Sequence, residues 1–313
     1  MKKNLFTTCA NNYIDCLRKE GRYSTAHVYE QAIRSFSRFC GTELISFRQI
    51  NRKTLKEYSD YLVASHLKLN TISTYMRMLR SIYNHGVYMH YAPYVHDLFG
   101  VVFTGVDTRQ KKAVPIGELH TLLHEDPKTE ELRRTQAVAS LLFQFCGMPF
   151  VDFAHLEKSN LKQGLLKYNR MKTGTPMSIE VLDSAKEIVS RLSNNKKKED
   201  TSVYPDYLFQ ILSGDYARNC EEAYREYQSA LRRFNNQLKS LSRKLGVNAS
   251  ITSYSLRHSW ATTAKYRGVP IEMISESLGH KSIKTTQIYL KGFELEERTK
   301  VNKMNYSYVM KFK

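Results

Sequence analysis

Apolar residues recur at helical spacing through the first hundred positions of the chain. In Ser24–Cys40 the residues Tyr29, Ile33, Phe36 and Phe39 share a face. Thr54–Ser65 repeats this with Leu55, Tyr58 and Leu62, and Asn70–His85 with Ile72, Met76, Leu79 and Tyr83. A period near 3.6 predicts amphipathic helices. Asn70 is the expected N-cap of the third and Gly86 its expected stop. The opposite faces carry Arg34, Arg38, Lys56, Arg77 and Arg80. The reading is an all-α module with a basic outer surface.

The pattern lapses between Phe103 and Pro115, where TGVDTRQKKAVP is polar, basic and ends in proline. This predicts a linker over residues 104–115, separating a helical domain (1–103) from a second domain (116–313). In the second domain Glu118–His124 and Thr129–Cys146 read as helices, the latter ending at Gly147. Gly164–Arg170 and Pro176–Val181 read as strands joined through KTGT, a hairpin pattern. Asp183 is expected to cap a helix running to Ser193, and NNKKKED to form a loop. From Asn219 to Leu245, Tyr227, Leu231, Phe234, Leu238, Leu241 and Leu245 form a stripe under three heptads long. That length favours core packing over a coiled coil. Short helices over Leu256–Arg267, Ile271–Leu278 and Ile283–Leu290 complete the pattern. The fold class is therefore mainly α with a small β-hairpin: an all-α domain followed by an α+β domain.

Composition sharpens this picture. With 42% hydrophobic and 12% aromatic residues among 313, the chain is globular and long enough for two cores. No apolar run approaches the ~20 residues needed to span a bilayer. The opening MKKNLFTTCANNYIDC lacks the apolar stretch of a signal peptide. The expectation is a cytoplasmic protein with no membrane partner. Five cysteines (Cys9, Cys16, Cys40, Cys146 and Cys220) without CxxC spacing point to neither a disulfide framework nor a zinc site. The net charge is +18. Residues 1–105 carry 14 Lys/Arg against 7 Asp/Glu, and the remainder 34 against 23. An excess in both halves suits a clamp on a polyanion, double-stranded DNA above all. Ribosome association and plain solubility are the bland alternatives.

The informative stretch is SYSLRHSWATTAKYRGVPIEMISESLGHKSIKTTQIYL, Ser253 to Leu290. It contains Arg257-His258, Gly268-Val269, Leu278-Gly279-His280 and Tyr289 in that order. This strongly resembles the C-terminal signature of the tyrosine recombinases of the phage-integrase type, including mobile-element integrases and DNA invertases of Bacteroidota. Upstream, LLKYNRMKTGTPMSIEV resembles the family's β-hairpin, whose lysine matches Lys172, and VYPDYLF a short segment after the next helix. The helices ending in NTISTYMRMLRSIYNHG resemble its SAM-like core-binding domain. The resemblance implies a site-specific recombinase that cleaves and rejoins DNA through a 3′-phosphotyrosine intermediate. It further implies a homotetramer on paired target sites, with room for accessory DNA-bending proteins.

The chemistry of these residues agrees with that reading. A phenol, with pKa near 10, is both a passable nucleophile and a passable leaving group, which suits Tyr289. Charge building on the phosphate oxygens requires a fixed cation with paired donors, as Arg257 offers. His280 can donate to the same phosphate, and Lys172 can protonate the departing 5′-oxygen as general acid. Such a reaction needs no metal or other cofactor. His258 reads as a packing or orienting residue. Arg109, Lys111 and Lys112 in the linker, with Arg77 and Arg80, are candidate DNA contacts.

Two departures stand out. The family places histidine three residues before Arg257, and this chain has Tyr254, a hydrogen-bond donor that cannot shuttle protons near neutral pH. The family's first arginine is missing from FCGMPFVDF, where Pro149 or Cys146 occupies its place and Asp152 the acidic one. Arg133, Arg134, Arg170 or a partner are the candidate sources of a substitute cation, and Asp152 is expected to hold Arg257 or His258. The missing cation leaves two alternatives open: a DNA-binding relative that no longer cuts, with an architectural or regulatory role, and a type IB topoisomerase that works without a dedicated site.

Overall fold

A computed structural model describes residues 5–107, 113–193, 203–290 and 295–311, without the side chains of Ile288, Tyr289, Glu296 and Glu297. The chain divides into two compact units: residues 1–109 with 219–224, and residues 110–218 with 225–313.

The first unit is built on α1 (Phe6–Lys19), α2 (Tyr23–Cys40), α3 (Arg52–Ala64) and α4 (Leu69–Tyr88). The predicted stripes on the last three are buried. Phe36, Leu55, Tyr58, Leu62, Ile72, Met76 and Leu79 belong to one core with Phe6, Ala10, Ile14 and Leu17 of α1. Helix α1 lies outside the predicted elements, although Phe6, Ala10, Ile14 and Leu17 recur at helical spacing and are buried. Two expected helix ends are corrected. Lys68, not Asn70, is the N-cap of α4, and the Asn70 amide instead pairs with the backbone N–H and carbonyl of Asp107, both at 2.8 Å. Gly86 does not stop the helix; it lies buried inside it beneath the Phe47 ring, which a Cβ would strike. There glycine serves close packing rather than a turn.

In the second unit α5 (Ile116–His124), α6 (Glu130–Gln144) and the short α7 (Phe150–Ala154) precede a three-stranded antiparallel sheet. Its strands are β1 (Leu161–Lys162), β2 (Leu165–Asn169) and β3 (Pro176–Glu180), with Lys167 opposite Ser178 in the β2–β3 register. The predicted hairpin is thus present, with a third short strand added. Helix α8 (Asp183–Leu192) places Asp183 in its first turn, where its charge suits the helix dipole, rather than at the cap, which is Leu182. Helix α9 (Glu221–Lys244) buries Phe234, Leu238 and Leu241, with Tyr227, Leu231 and Leu245 packed alongside, so the stripe is core. Four helices complete the unit: α10 (Ser253–Tyr266), α11 (Ile271–Ser277), α12 (Ile283–Tyr289) and α13 (Leu295–Met310).

The break after α6 sets the direction of the next segment. Cys146 and Gly147 both have positive φ, 54° and 64°. Backbone bonds from Gly147 N–H to Phe143 and from Met148 N–H to Leu142, at 3.2 and 2.9 Å, close the turn. Pro149 then caps α7. A Cβ at Gly147 would lie 3.0 Å from Arg257 Cα and 3.2 Å from Trp260 Cβ, so the glycine is required by conformation and by space. Gly147→Ala is expected to destabilise the protein by about 1–3 kcal/mol in chemical unfolding. Gly246→Ala, also at positive φ but with open space around it, loses only the backbone part. Equal losses in the two variants would remove the packing argument.

Candidate active site

Helix α10 opens with a capping box in which Thr252 and Ser255 each bond the other's backbone N–H. That box orients the first turn so that Arg257, His258 and Ser259 point inward, with 2%, 3% and 1% exposure. Ser259 accepts the backbone N–H of Val114 at 2.9 Å. The His258 ring packs edge-on against Tyr254, with centroids 4.9 Å apart.

Arg257 reaches two turns of the chain at once. Its Nη1 donates to the Gly147 carbonyl at 2.9 Å, and its Nη2 to the Leu278 carbonyl at 2.5 Å. The same Nη2 lies 3.1 Å from His280 Nε2. A guanidinium can only donate, so Nε2 accepts and the imidazole proton sits on Nδ1. Nδ1 faces Thr286 Oγ1 at 2.9 Å. Thr286 is fully buried on α12, one turn before Tyr289. A hydrogen-bonded chain therefore joins Arg257, His280 and the helix that carries Tyr289. The Tyr289 side chain itself lies outside the described residues, as do Arg109, Lys111 and Lys112.

A second guanidinium enters from the hairpin. Arg170, immediately after β2, is 8% exposed. Its Nη1 donates to the carbonyls of Leu278 and Gly279 at 2.7 and 3.2 Å. Its Nε donates to Asp152 Oδ2 at 3.1 Å, while Asp152 Oδ1 accepts the backbone N–H of Met171 at 2.9 Å. The hydrogen bonds of Asp152 go to Arg170 and to the start of the hairpin turn, where the expectation named Arg257 or His258. Its two oxygens match donors from two consecutive residues, which a lone side chain does not provide. Lys172 projects from the turn beyond and is exposed. The other proposed substitutes are elsewhere. Arg133 pairs with Asp126 and Glu130 on the surface, and Arg134 donates to the Gln210 carbonyl. Sequence reasoning named Arg170 but could not rank it, since an arginine after a strand ordinarily reads as solvated.

The electrostatics reflect the crowding of positive groups in a poorly solvated place. Burial first, then the nearby Arg170, depresses Arg257 to about 10, so it stays charged at neutral pH. Burial, with Arg257, Arg170 and Lys172 facing it, lowers His280 to about 4. Burial raises the Tyr254 phenol, while Arg257 and Arg170 oppose the rise. The Cys146 thiol is likewise raised by burial and drawn down by Arg257. Tyr254, Cys146 and the two arginines thus share one field. In the first unit Arg80 is exposed, and Arg77 is half-buried along its own helix against the Ser73 carbonyl and Thr74. Among the described residues no cluster of His, Cys, Asp and Glu would hold a metal ion, and no helix is long and apolar enough to cross a membrane.

The pattern of the phage integrase family matches residues 116–295, and that of the phage integrase SAM-like domain residues 5–96. The chain belongs to the phage integrase family. Relatives include a tyrosine recombinase of Pseudothermotoga lettingae, 22% identical over 308 residues, which cover 94% of this chain and 96% of that one. The tyrosine recombinase XerC of Leptospira interrogans is 25% identical over 300 residues, 90% and 88% of the two chains. In fold, the chain is similar to the Tn1549 transposon integrase in complex with a circular intermediate DNA: TM-score 0.66 at 12% identity, covering 96% and 99%. It is also similar to a lambda integrase dimer bound to a core site, with TM-score 0.66 at 14% identity, covering 92% and 98%. As a member of this family the protein is a tyrosine site-specific recombinase, an enzyme that cleaves and rejoins DNA.

The His280 geometry makes a pH prediction. Its value in the folded chain lies below the ordinary 6.5, so the unfolded chain binds more protons between about pH 4 and 6.5. His280 therefore contributes stability that is present above that window and lost as pH falls through it. NMR titration of the His280 ring in free protein should give a midpoint near 4. Adding target DNA should raise it, since a phosphate favours the imidazolium. A midpoint of 6.5 without DNA would show that the ring is not held between Arg257 and Thr286.

Proposed function

We propose that Arg257 and His280 seat the scissile phosphate of a DNA target site and that Tyr289 is the nucleophile. The observation that carries this reading is the hydrogen-bonded chain from Arg257 through His280 to Thr286 on α12. It couples a fixed cation to the helix bearing the tyrosine. The Tyr289 phenol gives up its proton to solvent as its oxygen attacks phosphorus, the bond to the 5′-oxygen breaks, and Lys172 on the hairpin turn gives that oxygen its proton. The product is a 3′-phosphotyrosine, and a 5′-hydroxyl from another strand reverses the step. Arg257 neutralises charge on the non-bridging oxygens. For His280 to donate to them it must take up a proton or release Arg257, and the incoming negative charge favours the first. Tyr254 adds a hydrogen bond to the phosphate, and His258 orients the Tyr254 ring.

DNA contacts outside the site fall to the linker cations Arg109, Lys111 and Lys112 and to Arg77 and Arg80 on α4. These would track phosphates and carry no base specificity. Complete exchange requires four cleavages on two duplexes, hence a homotetramer on paired sites, with accessory DNA-bending proteins as a further partner class. Helix α13 supports this assembly. All its described side chains are exposed, including Leu295 at 71% and Tyr306 at 65%. A lone helix of this length gains little stability in water, and its apolar residues call for a partner surface. A neighbouring protomer is the proposed one.

Two experiments test the reading. With a nicked suicide substrate, wild type should accumulate a covalent protein–DNA adduct and Tyr289→Phe none; equal adduct would remove Tyr289 as nucleophile. Deleting residues 302–313 should leave single-site binding nearly intact while abolishing synapsis and recombination. Full recombination by the truncated protein would refute the docking of α13 on a neighbouring protomer.

A further inference from the structure

The family's first arginine has no counterpart on α6 or in the turn after it, yet the site is not short of a guanidinium. We propose that Arg170, delivered from the β2–β3 hairpin, contacts the scissile phosphate as the second cation beside Arg257. This deepens the reading of Tyr289 as nucleophile and rests on it.

The argument begins with position. Arg170 Nη1 and Arg257 Nη2 donate to the same Leu278 oxygen, at 2.7 and 2.5 Å. Two nitrogens sharing one acceptor at hydrogen-bond range lie no more than about 5 Å apart, within the reach of a single phosphate. The two side chains come from different elements, one on α10 and the other immediately after β2. Positions Cys146 and Pro149, where the family pattern has its arginine, lie in the turn whose Gly147 carbonyl receives Arg257 Nη1. The hairpin thus brings to the same neighbourhood what that turn lacks.

The second argument is charge. Both guanidinium groups are at most 8% exposed, and the ion pair with Asp152 is made by Arg170. Like charges held close together away from water repel one another, and an anion placed between them relieves that cost. Burial lowers Arg257 most, and the neighbouring charge of Arg170 lowers it further. The third argument is donor use. Nε and Nη1 of Arg170 are committed to Asp152, Leu278 and Gly279, whereas Nη2 makes no hydrogen bond among the described residues. Those fixed contacts hold the fork rigid, and Nη2 is its remaining arm for a phosphate oxygen.

A second role comes with the first. Asp152 binds the Arg170 side chain and the Met171 backbone, and Lys172 is the next residue. The carboxylate is a positioning residue: the contact that aims the cation also fixes the root of the turn carrying the proposed general acid.

The test compares strand cleavage on two nicked substrates, one with a natural scissile phosphate and one with a neutral methylphosphonate there. On the natural phosphate, Arg170→Ala should cleave on the order of a hundredfold or more slowly than wild type, with Arg170→Lys intermediate. On the methylphosphonate, which has no charge to neutralise, the deficit should shrink to less than about tenfold. Thermal unfolding checks that each variant is folded. If Arg170→Ala does not fold, Arg170→Lys, which keeps the charge beside Asp152, takes its place in the same ratio. An equal deficit on both substrates would overturn the proposal and leave Arg170 a structural tether, as would a folded variant that cleaves the phosphate at the wild-type rate. Failure of the underlying reading is distinguishable: Tyr289→Phe would then still cleave, whichever ratio Arg170 gives.

Discussion

The carbonyl oxygen of Leu278 accepts hydrogen bonds from both Arg170 and Arg257, and the site is organised around that shared acceptor. Two guanidinium groups do not pack side by side in a poorly solvated place unless something holds them against their repulsion. Here the restraint is a set of backbone carbonyls, those of Gly147, Leu278 and Gly279, with one carboxylate. Each carbonyl is exposed by a local break in helical structure. Gly147 lies just beyond the end of α6 and Gly279 just beyond the end of α11, both with φ of 64°. At Gly279 a Cβ would also crowd the Arg170 side chain and Met177, so the turn and the arginine require the same missing atom.

From this centre the rest of the site inherits its geometry. Residues distant in the chain converge: the turn after α6, the hairpin tip, the first turn of α10, and the stretch from Leu278 to α12. The capping box at Thr252 orients Arg257; Arg257 fixes the tautomer of His280; His280 holds Thr286, and with it the helix of Tyr289. Asp152 tethers the hairpin by a side chain and a backbone at once. A perturbation in one segment therefore reaches the others through short, directional contacts rather than through the apolar core.

Helix α9 and the segment carrying Phe209 pack against α7 beside this arrangement. Phe150 stacks on Phe234 and Phe153 on Phe209, at 4.7 and 4.4 Å. Helix α7, only five residues long, is anchored on both sides by these rings, and Asp152 lies between them in sequence. Packing of apolar neighbours thus determines where a buried carboxylate ends up, and the carboxylate determines where the hairpin arginine goes.

Much of the fold was legible in the chain. Period-3.6 stripes located α2, α3, α4 and α9 because amphipathic helices must bury one face. The KTGT stretch located the hairpin, and the order Arg257, Leu278-Gly279-His280, Tyr289 indicated the family. Helix ends were less legible: Asn70 and Gly86 carry the residue types of caps and stops, yet one binds a distant backbone and the other lies under an aromatic ring. The partners of polar side chains were legible least. Asp152 was expected near Arg257 by adjacency in a motif, and Arg170 was one of three undistinguished arginines. Hydrogen bonds between residues 18 or 108 positions apart depend on how helices and sheet pack, and that information is spread over the whole apolar core. The sequence by itself determined which chemistry the chain carries; only the tertiary structure decided which cation stands beside Arg257, because proximity in space is a property of packing and not of spacing along the chain.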